Sequence, residues 1–148
     1  PQVVDAVDVP VIAAGGIASA EQVNALLAMG AAGVSVGTAL LTTAESSACD
    51  AHRYYAEFGT ACDTVLTRIY NGRLSRVLRN ALVEALDDWE LMTAGYPAQK
   101  ALMGPLDRCA SEVGRNDLVM LPLGQSAGRS AYRRTADCVH ALFPRRAD

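Results

Sequence analysis

The chain has 148 residues, enough for one domain with a real core. Apolar residues make up 51% of it, which excludes disorder, and a formal net charge of −3 argues against nucleic acid as the main partner. The longest apolar stretch, Val9 to Ile17, is too short for a bilayer and is interrupted by Pro10, Gly15 and Gly16, so no membrane span is expected.

In chain order, Val9-Pro10-Val11-Ile12-Ala13-Ala14 is a continuous apolar run of the kind found in strands buried on both faces of a parallel sheet. Gly15-Gly16 break it. Ser19 and Gln22 read as a capping box, Val23, Leu26 and Leu27 as an apolar helix face, and Gly30 as its end. Gly33-Val34-Ser35-Val36-Gly37 is the next strand, ending at Thr38. A β-α-β unit makes these two strands parallel and adjacent. Thr42 and Glu45 read as a second capping box, opening a helix that buries some of Ala48, Ala51, Tyr55 and Phe58 and stops at Gly59.

After residue 59 the pattern becomes mostly helical. Val65 to Tyr70 reads as extended, and Asn71-Gly72 suits a turn, but no clear strand follows. Ser75 reads as the cap of a helix running towards Leu86. Tyr96-Pro97 opens a helical stretch to about Val113, Leu118 to Leu123 is a short apolar segment, and Gly124-Gln125-Ser126-Ala127-Gly128 is a small-residue loop. A last helix is expected from about Arg129 to Phe143, with a polar tail from Pro144 to Asp148. The chain starts without Met, in a mid-helix pattern with no signal-peptide features, and reads as a fragment.

Two glycine sites carry the strongest chemical signal. Gly15-Gly16 follow one strand and Gly37-Thr38 end the next, so both fall at the carboxyl edge of a parallel sheet. Glycine there lets backbone N–H groups approach an anion, and helices beginning at Ser19 and near Thr43 would add their positive dipole ends. In (β/α)8 barrels the loops after the last two strands are a common phosphate site. The bland reading of either pair alone is a tight turn.

The run Pro10 to Ala18 and the run Leu27 to Leu41 resemble the seventh and eighth strands of nitronate monooxygenases, formerly called 2-nitropropane dioxygenases. The resemblance continues through Thr43-Ala44-Glu45-Ser46, Thr64 to Arg68, Asn71 to Asn80, Tyr96-Pro97 and Gly124 to Gly128, in order. It implies an α/β fold: a partial (β/α)8 TIM barrel, represented by its last two β/α units, with a smaller, mostly helical lid domain. The implied boundaries are 1–59 for the barrel units, 60–124 for the lid domain and 125–148 for a helix returning to the barrel. It also implies an FMN cofactor whose phosphate is held by Gly15, Gly16, Gly37 and Thr38, with Gln125 near the flavin. The implied reaction is oxidation of an alkyl nitronate by O2. Ser35 departs from the Gln or Met that the family often carries there. The family's catalytic His lies upstream in a Gly-Gly-His-type segment that this chain lacks, so no catalytic residue is assigned here. The flavin enoyl-ACP reductases share these motifs and supply an alternative activity. A non-catalytic truncated barrel is another, because two strands cannot close a barrel; its partner would be the missing barrel half.

Weaker features take bland readings. Cys49, Cys62, Cys109 and Cys138 form no CxxC pair and suit free thiols in a reducing cytoplasm. His52 and His140 lie far apart in helical patterns and read as surface or half-buried side chains, with no metal-ligand spacing and no metal expected. Arg68, Arg73, Arg76 and Arg79 read as a solvated surface that the acidic stretch Glu84 to Glu90 would pair with. Ser126 sits in a G-x-S-x-G spacing, but a nucleophile elbow should follow a strand and be accompanied by an Asp and a later His, and the one later His, His140, lies in the same helical region. Tyr54, Tyr55 and Trp89 read as packing residues.

Overall fold

The computed structural model describes residues 1–129 and 131–144. They form two compact units, Pro1–Thr60 together with Gly124–Asp148, and Ala61–Leu123.

The first unit contains α1 (Gln2–Ala6), β1 (Ile12–Ala14), α2 (Ala20–Ala28), β2 (Gly33–Ser35), a 3₁₀ turn (Thr38–Leu40), α3 (Asp50–Phe58) and, near the carboxyl end, α6 (Thr135–Leu142). β1 and β2 pair in parallel, Ile12 opposite Gly33 and Ala14 opposite Ser35. α2 starts at the expected capping box: the Gln22 amide donates to Ser19 Oγ at 3.3 Å, and the Ser19 amide donates back to Gln22 Oε1 at 3.1 Å. It ends where the Gly30 amide bonds to the Leu27 carbonyl and the Ala31 amide to the Leu26 carbonyl, which turns the chain into β2. Ile17, Val23, Ala39, Cys138 and Leu142 form the buried core, with Leu26, Val34, Val36, Leu40 and Tyr132 packed against it.

Four expectations need correction in this unit. β1 is not buried on both faces, since Ile12 is 56% exposed and Ala14 is exposed as well. The described sheet has only these two strands, so the apolar run lacks the layers that would cover it. Thr42 and Glu45 form no capping box. The Thr42 hydroxyl donates to the Tyr132 carbonyl at 2.9 Å, and the Glu45 carboxylate accepts from the Thr135 amide at 3.1 Å. α3 instead begins at Asp50, because the Arg53 guanidinium holds the carbonyls of Thr43, Ser46 and Ala48 in an irregular loop before it. On α3 it is His52 and Ala56 that are buried, while Phe58 is exposed. Finally, the last helix starts at Thr135 rather than near Arg129. The Ala44 amide bonds to the Arg133 carbonyl, so the segment just before α6 is not helical and is tied to the loop after β2. Of the expected helix and tail, residues 130 and 145–148 lie outside the described residues.

The second unit contains β3 (Thr64–Thr67), β4 (Ser75–Leu78), α4 (Ala81–Leu86) running into a 3₁₀ segment (Asp87–Met92), and α5 (Ala98–Glu112). Here a strand does follow Asn71-Gly72. β3 and β4 pair antiparallel, Thr64 opposite Leu78 and Thr67 opposite Ser75. Ser75 is therefore not a helix cap; its hydroxyl takes a bond from the Asn71 side chain at 3.1 Å, within the connection. Asn80 caps α4 instead, accepting from the Val83 amide at 3.2 Å. The segment 118–123 runs beside β4, with the Leu78 amide on the Leu121 carbonyl and the Leu123 amide on the Arg76 carbonyl. Ile69, Tyr70, Val77, Leu82 and Val83 form the core. No helix among the described residues is long and apolar enough to cross a membrane.

Candidate functional site

The carboxyl ends of β1 and β2 open onto one cavity of about 240 Å³, lined by Ala14, Gly15, Gly16, Gly37, Thr38, Gly124 and Ser126 among others. Parallel pairing accounts for the convergence: residues that leave adjacent parallel strands at the same edge are neighbours. Gly15 and Gly16 adopt φ of +99° and +72°, a region that costs an L side chain roughly 1–2 kcal/mol. The loop is pinned by Gln22, whose Nε2 donates to the Gly16 carbonyl at 3.1 Å while its Oε1 accepts from the Ala18 amide at 2.7 Å.

A Cβ added at Gly15, Gly16 or Gly37 would meet nothing within 4 Å, so all three present bare backbone to open space. Among the described residues, the amides of Gly15, Gly16, Gly37 and Thr38 make no hydrogen bond outside the β1–β2 ladder. Unspent N–H groups around a concavity are donors that an oxyanion can satisfy.

Two hydroxyls add to these donors. Thr38 Oγ1 accepts from the Gly124 amide at 2.9 Å, which leaves its own proton to donate. Ser126 is only 3% exposed, lines the cavity, and its hydroxyl has no hydrogen-bond partner among the described residues. A buried hydroxyl without a partner is costly, and one facing a cavity is relieved by a ligand acceptor. Sequence reading passed over Ser126, because its G-x-S-x-G spacing was weighed only as a nucleophile elbow. Gln125, singled out instead, is exposed and does not line the cavity, although both its neighbours do.

The helix ends contribute less than expected. No helix begins near Thr43. At the start of α2 the Ser19 hydroxyl already occupies the Gln22 amide, and the Gln22 side chain occupies the Ala18 and Ser19 amides. Glu21 stands there too, its carboxyl held below the usual range by the Ser19 hydroxyl and by its own amide. Anion attraction therefore rests on the loop amides and the two hydroxyls. Of the two histidines, His52 is buried within α3 and His140 is exposed on α6; neither lines the cavity. No cluster of three His, Cys, Asp or Glu side chains suited to a metal occurs among the described residues.

The residues present fit a phosphate monoester in their chemistry, since unspent amides and hydroxyl donors line one cavity. The volume is below the roughly 300–1,000 Å³ of sites that enclose a drug-sized ligand, so the cavity suits a headgroup more than a whole cofactor.

The chain matches the family described as nitronate monooxygenase over residues 1–142. It is 37% identical over 126 residues to a probable nitronate monooxygenase of Staphylococcus aureus (strain Newman), covering 85% of this chain and 36% of that protein. It resembles the crystal structure of nitroalkane oxidase from Streptomyces ansochromogenes with a TM-score of 0.86 and 35% identity, over 95% of this chain and 40% of that one. FabK from Thermotoga maritima aligns with a TM-score of 0.76 and 29% identity, over 95% of this chain and 45% of that one. The chain thus spans 36% of the length of the curated relatives it matches. Its motifs, running in family order from β1 to the Gly124–Gly128 loop, accord with that match, and the chain belongs to the nitronate monooxygenase family.

Proposed function

We propose that this chain carries the phosphate-binding part of an FMN-dependent oxidoreductase that oxidises alkyl nitronates with O2. The observation that supports the reading is the convergence of unspent amides at Gly15, Gly16, Gly37 and Thr38 with the unpartnered Ser126 hydroxyl on one cavity. Residues 1–59 would be the last two β/α units of a (β/α)8 barrel, 60–124 the smaller domain, and 125–148 the segment that returns to the barrel. The length of the relatives beyond this chain leaves room for the remaining strands and for a catalytic base.

The chain's own residues would bind and orient. The amides of Gly15, Gly16, Gly37 and Thr38, with the hydroxyls of Thr38 and Ser126, would hold the phosphate. Gln22 would keep the first loop in its open shape through the Gly16 carbonyl. Gln125, exposed between two lining residues, would reach the cofactor outside the phosphate cavity. FMN, when bound, supplies the redox chemistry between nitronate and O2. No residue of this chain is assigned to proton abstraction, which contributes roughly 10²–10⁴-fold where a positioned base exists.

The likeness to FabK favours a second reading within the flavin oxidoreductases, of the enoyl-ACP reductase kind. The test uses the chain together with a polypeptide supplying the rest of a relative's barrel, in the presence of FMN. Nitronate-dependent O2 uptake supports the first reading, and NAD(P)H consumption with an enoyl thioester supports the second. Sustained O2 uptake by the chain alone, above the free-flavin background, would place the base within these residues and overturn the division of labour.

A further inference from the structure

The second unit contains a cavity of about 660 Å³ that the FMN reading does not use. One wall is α5, which contributes Lys100, Ala101, Met103, Gly104, Asp107 and Arg108; Tyr70, Asn71, Tyr96, Pro97 and Met120 complete it. The volume lies inside the roughly 300–1,000 Å³ range of small-molecule sites. The lining combines flat and flexible apolar groups with cations, which is the composition of a pocket for an amphipathic anion.

The cations are arranged for a ligand. Lys100, Gly104 and Arg108 follow one another at intervals of four along α5, so they share a face. Gly104 is a poor helix former, costing about 1 kcal/mol relative to Ala. At this position its bare backbone leaves room for Arg108, whose Nη1 lies 3.5 Å from where a Cβ would stand, so the guanidinium bends back along the helix towards Lys100. Among the described residues neither Lys100 nor Arg108 has an ion-pair partner, whereas Arg68, Arg115 and Arg133 do. Asp107 is the one carboxylate in the wall, and its Oδ1 is engaged by the Met120 amide at 3.0 Å. Arg73, which does not line the cavity, stacks on the Tyr96 ring at 4.1 Å from its centroid. The cavity therefore faces its occupant with two cations against one carboxylate, two tyrosines and two methionines.

We propose that this cavity binds an organic oxyanion, a carboxylate or phosphate monoester on a flat apolar body. Lys100 and Arg108 hold the oxygens, while Tyr96, Met103 and Met120 cover the body. The site lies in a different unit from the glycine cavity and does not rest on the FMN reading.

Calorimetric titration of the chain with 1-naphthoate, 1-naphthyl phosphate and neutral 1-naphthylmethanol tests this. At least one anion should bind at least about tenfold more tightly than the alcohol, and the preferred anion identifies the headgroup. The K100M/R108M variant should lose about tenfold in affinity for that anion, and R115M, altered at a cation already paired with Asp117, should not. R108K, which retains the charge, should recover part of the loss. Both altered side chains are exposed, so circular dichroism should show the fold unchanged. Absence of binding by both anions at millimolar concentration, equal binding of the alcohol, or a K100M/R108M variant that binds as the wild type does would each overturn the proposal.

Discussion

The Gly124 amide donates to Thr38 Oγ1 across 2.9 Å, joining residues eighty-six positions apart at the mouth of the glycine cavity. A Cβ at Gly124 would stand 3.0 Å from that oxygen, so a side chain there would push the Thr38 hydroxyl back by a few tenths of an ångström. Thr38→Val leaves the Gly124 amide without its acceptor and removes one hydroxyl donor from the cavity. FMN binding, followed by quenching of flavin fluorescence, should weaken about tenfold in Thr38→Val and be largely restored in Thr38→Ser. Equal affinity in the three proteins would remove Thr38 from the site.

Ser126 makes a sharper case, because stability and binding should move in opposite directions. Its buried hydroxyl has no partner among the described residues, so Ser126→Ala should leave the chain as stable as before or more stable, by up to about 1 kcal/mol. The same change should weaken FMN binding. A variant that is destabilised and binds FMN normally would show a structural hydroxyl and no ligand contact.

Sequence reading reached furthest where the chemistry is local. The Ser19–Gln22 box closes within one helical turn, and the β-α-β order puts Gly15-Gly16 beside Gly37-Thr38 with no further information. Thr42 and Glu45 offer the same three-residue spacing, yet their bonds go to Tyr132 and Thr135, about ninety residues away. Ser75 reads as a cap in the sequence, and only its pairing with Thr67 in the hairpin shows that it is not one. Ser126 was illegible as a ligand group because its signal is burial without a partner, a property of the fold alone.

Glu45 gives the first unit a pH-dependent contact. Its carboxyl is held below the ordinary value of 4.5 by a hydrogen bond from its own amide, and next by the Thr135 amide at the start of α6. A carboxyl with a lowered folded-state pKa contributes stability that is present above the ordinary glutamate range and lost as pH falls through the folded value. The melting temperature should therefore fall on acidification from neutral to about pH 3, and the fall should be shallower in Glu45→Gln. Parallel profiles for the two proteins would mean that Glu45 does not contribute.

In the second unit, the Tyr70 hydroxyl donates to Asn80 Oδ1 at 2.9 Å, and Asn80 Nδ2 donates to the Val119 carbonyl at 2.9 Å. Asn80 also caps α4, so one amide ties a helix start, a turn and the segment beside β4. Asn80→Ala should cost about 2–4 kcal/mol, as the sum of a lost cap and buried groups left unpaired. Burial pushes the Tyr70 hydroxyl up to about 12 from 10.0; the bond to Asn80 works in the other direction and is the smaller effect. The folded state therefore holds this proton more tightly than the unfolded chain. Stability from Tyr70 is fully present below about pH 10 and is lost as pH rises from there towards 12. In a spectrophotometric titration of the folded chain, one tyrosine should ionise well after the others, and Tyr70→Phe should abolish that late step. Its hydroxyl loss should also free Asn80 Oδ1 to serve Val83 alone, so Tyr70→Phe should be milder than Asn80→Ala in chemical denaturation. If the late ionisation persists in Tyr70→Phe, or if the order of the two stabilities is reversed, the network does not hold this unit together as described.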